Sequence, residues 1–281
     1  MLMTRRLFLK GTAAGLAGAA VATRVPAADG NPGARIRIGS CHIGLAGAKD
    51  AGLDGVEVGV GGAADTLQIA DPKVREKYKQ EMKETGLVIC SFMMGLLNSN
   101  PLASDPRGQA WLEQSIDAAR DLGAGVILVA FFGKGSLKEG DAVKKADVDV
   151  VVQRLKAVAS RAKDAGVVLG IENTISARDN LEILDRVGSD AVGVYYDIYN
   201  LAGQGYDCPA EIRLLKDRIC QVHFKNGPDY LESGKVKWEP VAAAMKEIGY
   251  QKWIVLETSN PSKNVVADDK KNAEYVRKLF A

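Results

Sequence analysis

Gln221-Val222-His223-Phe224-Lys225-Asn226 is the stretch from which the fold of this chain is best argued. His223 is one of only two histidines in 281 residues, and it lies within a short apolar run at residues 219–224. A short apolar run followed by polar loop residues is typical of a buried parallel strand. Three other apolar runs end in an acidic residue, and these residues are Glu172, Asp197 and Glu257. Four successive predicted strands therefore carry a chemically active side chain at or near the carboxyl end.

The spacing of these four positions predicts how the strands are arranged. They recur about every 25 to 35 residues, and a (β/α)8 barrel of about 250 residues has about 31 residues in each unit. A doubly wound open sheet is disfavoured, because Gly59-Val60-Gly61-Gly62 follows the second strand and does not match the GxGxxG phosphate turn. We therefore expect an α/β protein with a single (β/α)8 TIM barrel, whose catalytic rim carries all four positions.

The rest of the chain supplies the other elements of such a barrel. Strands are predicted at residues 35–41, 53–60, 87–92, 126–132, 167–171, 192–196, 219–224 and 253–256. Helices are predicted to begin at Asp71-Pro72 and Asp105-Pro106, and glycines at 86, 123 and 166 are predicted to end the second, third and fourth helices. Later helices are expected at residues 176–187, 209–217, 240–248 and 268–279. The loop at residues 93–104 has the length of a lid or substrate loop.

Residues 1–28 have the features of an export signal. Residues 4–10 (TRRLFLK) resemble the twin-arginine motif, and the Ala- and Gly-rich stretch after them is too short to cross a membrane as a helix. Small residues at 25–28 offer a cleavage site. We interpret residues 1–28 as a signal for the twin-arginine export machinery and residues 29–281 as a periplasmic barrel. A disordered basic tail and an uncleaved membrane anchor are the alternatives.

Composition argues against several classes of protein. A net charge of +2, with no basic stripe interleaved with aromatic residues, argues against binding of nucleic acid. The four cysteines have no CxxC or CxxH spacing, which argues against a zinc ribbon and favours buried thiols. The sequence leaves the oligomeric state open, with a homo-oligomer among the options.

The side chains expected at the rim define a metal site. The carboxylates of Glu172, Asp197 and Glu257 and the imidazole of His223 suit one hard or borderline divalent ion. Manganese, magnesium, cobalt and zinc all fit this donor set. A single carboxylate at a strand end is more often a helix cap or a salt-bridge partner, so the hypothesis depends on the coincidence of four.

Four motifs carry a resemblance to a known family. They are Gly170-Ile171-Glu172-Asn173, Tyr196-Asp197-Ile198-Tyr199-Asn200, Val222-His223-Phe224-Lys225-Asn226 and Val255-Leu256-Glu257-Thr258. In this order and spacing, the sequence resembles the xylose-isomerase-like sugar isomerase/epimerase family over about residues 35–280. The resemblance implies that Glu172, Asp197, His223 and Glu257 bind one metal ion. It also implies that Glu172 and Glu257 act as an acid/base pair on the two faces of the substrate.

Three positions depart from the ketose epimerases of that family. Asn200 and Asp229 stand where those enzymes often have histidine and arginine, and Arg178 stands where they have glutamate. Their substrate is therefore not transferable, although Asn200 is kept as a candidate substrate contact. The endonuclease branch of the same fold needs a histidine-rich three-zinc site, which two histidines exclude.

Other residues are candidate substrate contacts on weaker grounds. Lys225 lies two residues after His223, so strand alternation would point both side chains the same way. The remaining candidates are His42, which follows the first strand, Glu57 on the second strand, and Trp238 as an apolar wall. Each has a structural alternative: a lysine turned to solvent, a capping histidine, a glutamate that pins a loop, or an aromatic side chain in the core.

The resulting hypothesis is a metal-dependent enzyme that removes the proton alpha to a carbonyl of a sugar. Reprotonation gives isomerisation or epimerisation, whereas loss of a β-oxygen substituent gives a lyase or dehydratase acting on a 3-keto-glycoside or an inosose-like compound. An exported enzyme would meet few phosphosugars, so the expected substrate is an unphosphorylated sugar. A non-catalytic sugar-binding barrel is the alternative from a different class.

Overall fold

Eight parallel strands close into one barrel in the computed structural model, which describes residues 35–281. The barrel strands are β1 Arg37–Ser40, β2 Gly55–Gly59, β3 Val88–Met94, β4 Val126–Ala130, β5 Val168–Glu172, β6 Val192–Asp197, β7 Ile219–Phe224 and β8 Trp253–Leu256. Each strand pairs with its successor in the chain, and β8 pairs with β1, with Arg37 opposite Trp253. The predicted (β/α)8 barrel is confirmed. The predicted export signal lies outside the described residues.

Nine α-helices accompany these strands within residues 35–281. They are α1 Leu45–Asp50, α2 Pro72–Thr85, α3 Gly108–Leu122, α4 Lys145–Ala165, α5 Ala177–Val187, α6 Ile198–Gly203, α7 Cys208–Leu215, α8 Trp238–Glu247 and α9 Val265–Phe280. The predicted start of α2 is confirmed, because the Asp71 side chain accepts from the Lys73 amide and Pro72 follows. The predicted end of α4 is also confirmed, because Gly166 has a φ of 70°. No helix of this part of the chain is long and apolar enough to cross a membrane.

Two features after the strands differ from the prediction. The short helix α6 directly after β6 was not expected, and its first turn is capped by the Asp197 side chain. The polar loop after β4 contains a small hairpin that pairs residues 138–139 with residues 142–143. Both features lie on the side of the barrel where the strands end, so they shape the rim.

The loop at residues 93–104 is packed against the barrel rather than free to act as a lid. Leu97 and Leu102 are buried within it. The Arg154 guanidinium on α4 donates to the carbonyls of Leu102 and Asp105 at 2.6 and 2.5 Å. The connection is also displaced from its predicted bounds, because β3 continues to Met94, a 3-10 helix covers Gly95–Asn98 and α3 begins at Gly108. The two buried leucines anchor it to the core.

Side chains of β7 alternate between the barrel interior and the helix layer. Val222 and Phe224 belong to the apolar core that also contains helix residues such as Trp238 and Val241. Gln221 and His223 are equally buried but bond to polar groups of other strands. The alternation therefore points His223 into the barrel, as its position in the strand predicted.

Candidate active site

Four side chains meet at the carboxyl ends of β5 to β8. Glu172 and Asp197 are the last residues of β5 and β6, His223 is the penultimate residue of β7, and Glu257 follows β8. One ligand atom from each lies within 4.8 Å of the others. Asp197 and His223 are paired across the β6–β7 register, and the Glu257 amide donates to the Phe224 carbonyl, which sets the height of Glu257. The convergence inferred from the sequence is thus present in the structure.

The separations between these atoms suit ligands of one ion. His223 Nδ1 lies 3.0 Å from Glu172 Oε1 and 3.3 Å from Glu257 Oε2. Two ligands bound at right angles at about 2.1 Å would lie about 3 Å apart. Three carboxylates and one imidazole are also the donor set that divalent magnesium, manganese or zinc accepts.

Asp197 contributes a second sign of a cation site. Its Oδ1 accepts from the Asn200 amide at 2.8 Å, while its buried Oδ2 has no hydrogen-bond partner in the described part of the chain. Lys225 Nζ is 2.9 Å from Oδ2, so an ammonium balances the charge of this oxygen. The lone pairs of Oδ2 remain available as ligands. Together with the carboxylates of Glu172 and Glu257 and the imidazole of His223, they form a donor set that fits a divalent ion.

Lys225 points into the site, as its position two residues after His223 predicted. Its Nζ lies 2.7 Å from Glu257 Oε2, closer than to Asp197. Burial by itself lowers the pKa of Lys225, but the carboxylates of Asp197 and Glu257 outweigh burial and raise that pKa. The side chain is therefore a cation at neutral pH.

The two glutamates of the site have pKa values shifted in opposite directions. Burial raises the pKa of Glu172 to about 7, against the lowering effect of His223. Burial acts the same way on Glu257, but His223 and Lys225 outweigh it, so the pKa of Glu257 lies below its usual value. The two carboxyl groups therefore differ in their affinity for a proton.

Burial also shifts the pKa values of Asp197 and His223, the other two residues that meet at the strand ends. It raises the pKa of Asp197 despite the nearby Lys225 and His223. For His223, burial lowers the pKa, but the carboxylates of Glu57 and Glu172 outweigh it and raise that pKa well above its usual value.

Glu57 lies on the second strand, as the sequence indicated, but its carboxylate contacts protein groups. Its side chain is fully buried, and its Oε1 is 3.0 Å from His223 Nε2. Its Oε2 accepts from the hydroxyls of Ser91 and Tyr195 at 2.7 and 2.9 Å. Both oxygens are occupied by protein groups, so the expected substrate contact is corrected to a contact with His223.

Trp238 is also corrected, from a wall of the pocket to a core residue. It is the first residue of α8 and only 1% exposed. Its ring stacks on Phe224 with centroids 4.1 Å apart. Because Phe224 faces the helix layer, Trp238 packs between the sheet and the helices, outside the barrel interior.

His42 and Asn200 lie at the rim, and their roles as substrate contacts stay predictions. The His42 side chain is exposed, and its Nε2 is 3.7 Å from Cys41 Sγ. Asn200 is half-buried in the first turn of α6, and its backbone amide donates to the Asp197 side chain that caps this helix. Neither side chain has a bond to the four residues that meet at the strand ends.

Several polar residues near the site were missed by the sequence analysis. Tyr195 and Ser91 reach Glu57, and Gln221 bonds both of their hydroxyls. Cys41, assigned to the core from its sequence context, is half-buried and lies within 4.8 Å of Glu57 and His223. Gln221 could have been found, because it is two residues before His223 and so shares its face of the strand.

Known proteins resemble this chain in sequence and in structure. The 2-epi-5-epi-valiolone 7-phosphate 2-epimerase of Actinoplanes sp. is 26% identical over 193 residues, which are 68% of this chain and 68% of that protein. The 3-keto-D-glucoside 4-epimerase YcjR from E. coli superimposes with a TM-score of 0.71 at 17% identity, covering 87% of this chain and 100% of that chain. A xylose isomerase-like TIM barrel protein from Mycobacterium smegmatis, solved with magnesium, gives a TM-score of 0.66 at 20% identity over 84% of this chain and 86% of that chain.

The two structural similarities support the barrel fold alone, because their sequence identities are low. The family assignment comes from the sequence. The sequence profile described as xylose isomerase-like TIM barrel matches residues 45–279, nearly all of the part that the structure describes. This chain belongs to the xylose isomerase-like TIM barrel family.

Proposed function

We propose that this protein is a divalent-metal-dependent sugar epimerase or isomerase that removes the proton alpha to a carbonyl of an unphosphorylated sugar. The observation that carries the proposal is the meeting of Glu172, Asp197, His223 and Glu257 within 4.8 Å at the carboxyl ends of four successive strands. Active sites of barrel enzymes lie at this end. The epimerase of Actinoplanes sp., a relative in sequence, supports the choice of reaction.

The residues divide the chemistry among themselves. A divalent ion, when bound, would polarise the carbonyl and its neighbouring hydroxyl and so acidify the C–H bond between them. Glu172 and Glu257 are the proposed base and acid, which remove a proton from one carbon and return one. Lys225, whose ammonium is 2.7 Å from Glu257, is placed to donate to a substrate oxygen as negative charge grows on it.

The metal proposal has separate support. Asp197 Oδ2 is balanced by the Lys225 ammonium but keeps lone pairs available to an ion, and its three partner ligands lie within 4.8 Å. Octahedral magnesium and manganese take carboxylate oxygens readily, and the imidazole of His223 also admits zinc or cobalt. Elemental analysis of the purified protein would identify which of these ions it binds.

The start of α9 supports a substrate without phosphate. Phosphate groups in barrel enzymes often bind near helix N-termini after the seventh and eighth strands. In this chain Asp268 lies in the first turn of α9 and Asp269 follows it, both are buried, and the Ser262 amide donates to Asp268 Oδ2 at 3.0 Å. These two carboxylates place acidic groups near the N-terminus of α9, which disfavours a phosphate there. The Actinoplanes relative, in contrast, is named for a 7-phosphate substrate.

Proton exchange with solvent tests the reaction directly. The full-length protein is loaded with Mn²⁺, freed of excess ion and incubated in deuterated water with a panel of ketoses and 3-keto-glycosides. Deuterium at the alpha carbon of a recovered or epimerised sugar is the expected result. Release of an aglycone would instead assign elimination, and a fully metallated protein that exchanges no alpha proton would favour a sugar-binding barrel.

A further inference from the structure

A buried polar cluster lies beside His223 in the barrel interior. It consists of Glu57 on β2, Ser91 on β3, Tyr195 on β6 and Gln221 on β7, all at most 3% exposed. Barrel interiors are usually filled by branched apolar side chains. Glu57 is instead a buried carboxylate with polar neighbours on three other strands, and packing alone does not explain such a group.

The cluster is organised around the carboxylate of Glu57. Its Oε2 accepts from the hydroxyls of Ser91 and Tyr195 at 2.7 and 2.9 Å. The Gln221 amide group donates to both of these hydroxyl oxygens, at 2.7 and 3.0 Å. Because each hydroxyl accepts from Gln221, its own hydrogen is left for Glu57. The position of Glu57 is thus fixed from three other strands.

The other carboxylate oxygen of Glu57 contacts Nε2 of His223, the ring nitrogen that faces away from the proposed metal ligands. Glu57 Oε1 is 3.0 Å from Nε2, while Nδ1 faces Glu172 Oε1 at 3.0 Å and Glu257 Oε2 at 3.3 Å. Carboxylates accept and do not donate, so without an ion both ring nitrogens carry a hydrogen, one donated to Glu57 and one to the carboxylates at Nδ1. An ion bound at Nδ1 would replace the hydrogen there, and the hydrogen that remains would be the one on Nε2 that faces Glu57. The ring of Tyr195, with its centroid 4.5 Å from that of His223, packs against the imidazole as well.

We propose that Glu57 is a positioning residue that holds His223 in the Nε2–H form and aims Nδ1 at the metal. This inference rests on the proposed metal site and adds to it a residue on the opposite ring nitrogen of His223, outside the set of four proposed ligands. A carboxylate behind a ligand histidine fixes the ring and makes it a stronger donor, and loss of such a partner lowers metal affinity about 10- to 100-fold.

Glu57→Gln tests the proposal in the full-length protein with Mn²⁺ as the probe. The glutamine keeps the size of the side chain, but its amide can donate to Nε2 and so favour the hydrogen on Nδ1, where it blocks metal binding. Titration calorimetry should show about 10- to 100-fold weaker Mn²⁺ binding in the variant. Asp269→Asn is the matched control, because it neutralises a buried carboxylate that bonds Thr258 and none of the four proposed ligands. Its Mn²⁺ affinity should equal that of the wild type.

A spectroscopic readout separates positioning from general damage. With two histidines in the chain, a His42→Ala background leaves His223 as the one histidine signal in a ¹⁵N spectrum. In the Zn²⁺-loaded protein, the hydrogen should sit on Nε2 and Nδ1 should carry the metal shift. Glu57→Asp keeps an acceptor but shortens its reach, so its affinity should fall between the wild type and Glu57→Gln.

The outcomes are distinct. Wild-type Mn²⁺ affinity in both Glu57 variants, or a hydrogen on Nδ1 of His223 in the Zn²⁺-loaded protein, overturns the positioning role and leaves the metal site intact. A wild-type protein that binds no Mn²⁺ overturns the proposed function itself. Should Glu57→Gln fail to fold, as judged by circular dichroism, Glu57→Asp and the ¹⁵N spectrum decide the question.

Discussion

The ammonium of Lys225 lies 2.7 Å from a carboxylate oxygen of Glu257, so a positive charge stands next to one member of the proposed acid/base pair. The same ammonium is 2.9 Å from Asp197 Oδ2. One lysine thus touches two of the four proposed metal ligands. This arrangement gives Lys225 opposite effects on metal binding and on catalysis, which can be measured separately.

Lys225→Met should bind Mn²⁺ at least as tightly as the wild type, because it removes a positive charge that repels the ion. Turnover should fall about 100-fold, since a donor to the developing negative charge on the substrate is lost. Calorimetry and the deuterium-exchange rate measure the two effects. Lys225→Arg, which keeps the charge, is the control and should retain more of the turnover. Weakened metal binding in Lys225→Met would contradict this assignment.

His223→Ala should lose most of its bound metal while the barrel remains folded. The imidazole is the only nitrogen ligand of the proposed set, and residues at the carboxyl rim of a barrel serve function more than stability. Elemental analysis of protein purified in parallel with the wild type measures the loss, and far-ultraviolet circular dichroism checks the fold. Full occupancy in the variant would remove His223 from the metal site.

Trp238→Ala should destabilise the protein by about 3–5 kcal/mol, the range for a large aromatic side chain removed from a core. The reason is its burial and its stack on Phe224. Trp238→Phe should cost much less, because the indole Nε1 has no hydrogen-bond partner in the described part of the chain and its removal leaves nothing unpaired. Denaturant unfolding measures both. An unchanged Mn²⁺ affinity in Trp238→Phe would agree with a position outside the pocket, whereas a large loss of substrate affinity would restore the original prediction.

The outcomes at Lys225 and Glu57 show what the sequence could and could not predict. Side-chain alternation in a strand gives direction, and it placed Lys225 on the same side as His223, as the structure shows. It does not give depth, because the stagger between strands decides whether a residue reaches the rim or the layer below. Glu57 is the third residue of the five-residue strand β2, whereas Glu172 and Asp197 end their strands. That position, two residues before the strand end, was the signal that Glu57 lies deeper.

The prediction that Trp238 lines the pocket was wrong for a different reason. A residue at a helix start has no alternation to orient it, so its direction depends on how α8 packs against β7. The sequence near Trp238 contains no such information. The convergence of the four proposed ligands was predictable because each lies at or next to a strand end, where the fold itself brings the residues together.

Replacement of Arg5 and Arg6 by lysine should leave precursor in the cytoplasm. These residues belong to the stretch that resembles a twin-arginine signal, and we propose that the mature protein begins near Ala28 and is exported already folded. Immunoblotting of periplasmic and cytoplasmic fractions measures the distribution. Equal periplasmic amounts of the variant and the wild type would rule out the twin-arginine route.

Glu257→Gln and Glu172→Gln should separate the two tasks of the acid/base pair. Both residues are also proposed metal ligands, so each variant is first brought to the metal content of the wild type with excess Mn²⁺. For an epimerase that works through both glutamates, either change should slow interconversion by about 10²- to 10⁴-fold, the usual contribution of a positioned acid or base. Glutamine matches glutamate in size, so the loss reports proton transfer rather than packing.

The pattern of deuterium exchange then distinguishes epimerisation from elimination. In an epimerase, the variant that lacks the base should lose exchange and interconversion together, because one carboxylate serves both. In a lyase acting on 3-keto-glycosides, one variant should still exchange the alpha proton while it no longer expels the leaving group, because abstraction of the proton and protonation of the leaving oxygen are separate steps. If both metallated variants exchange and interconvert at the wild-type rate, neither glutamate moves the proton, and the base must be sought among the other rim residues, with His42 the first to replace.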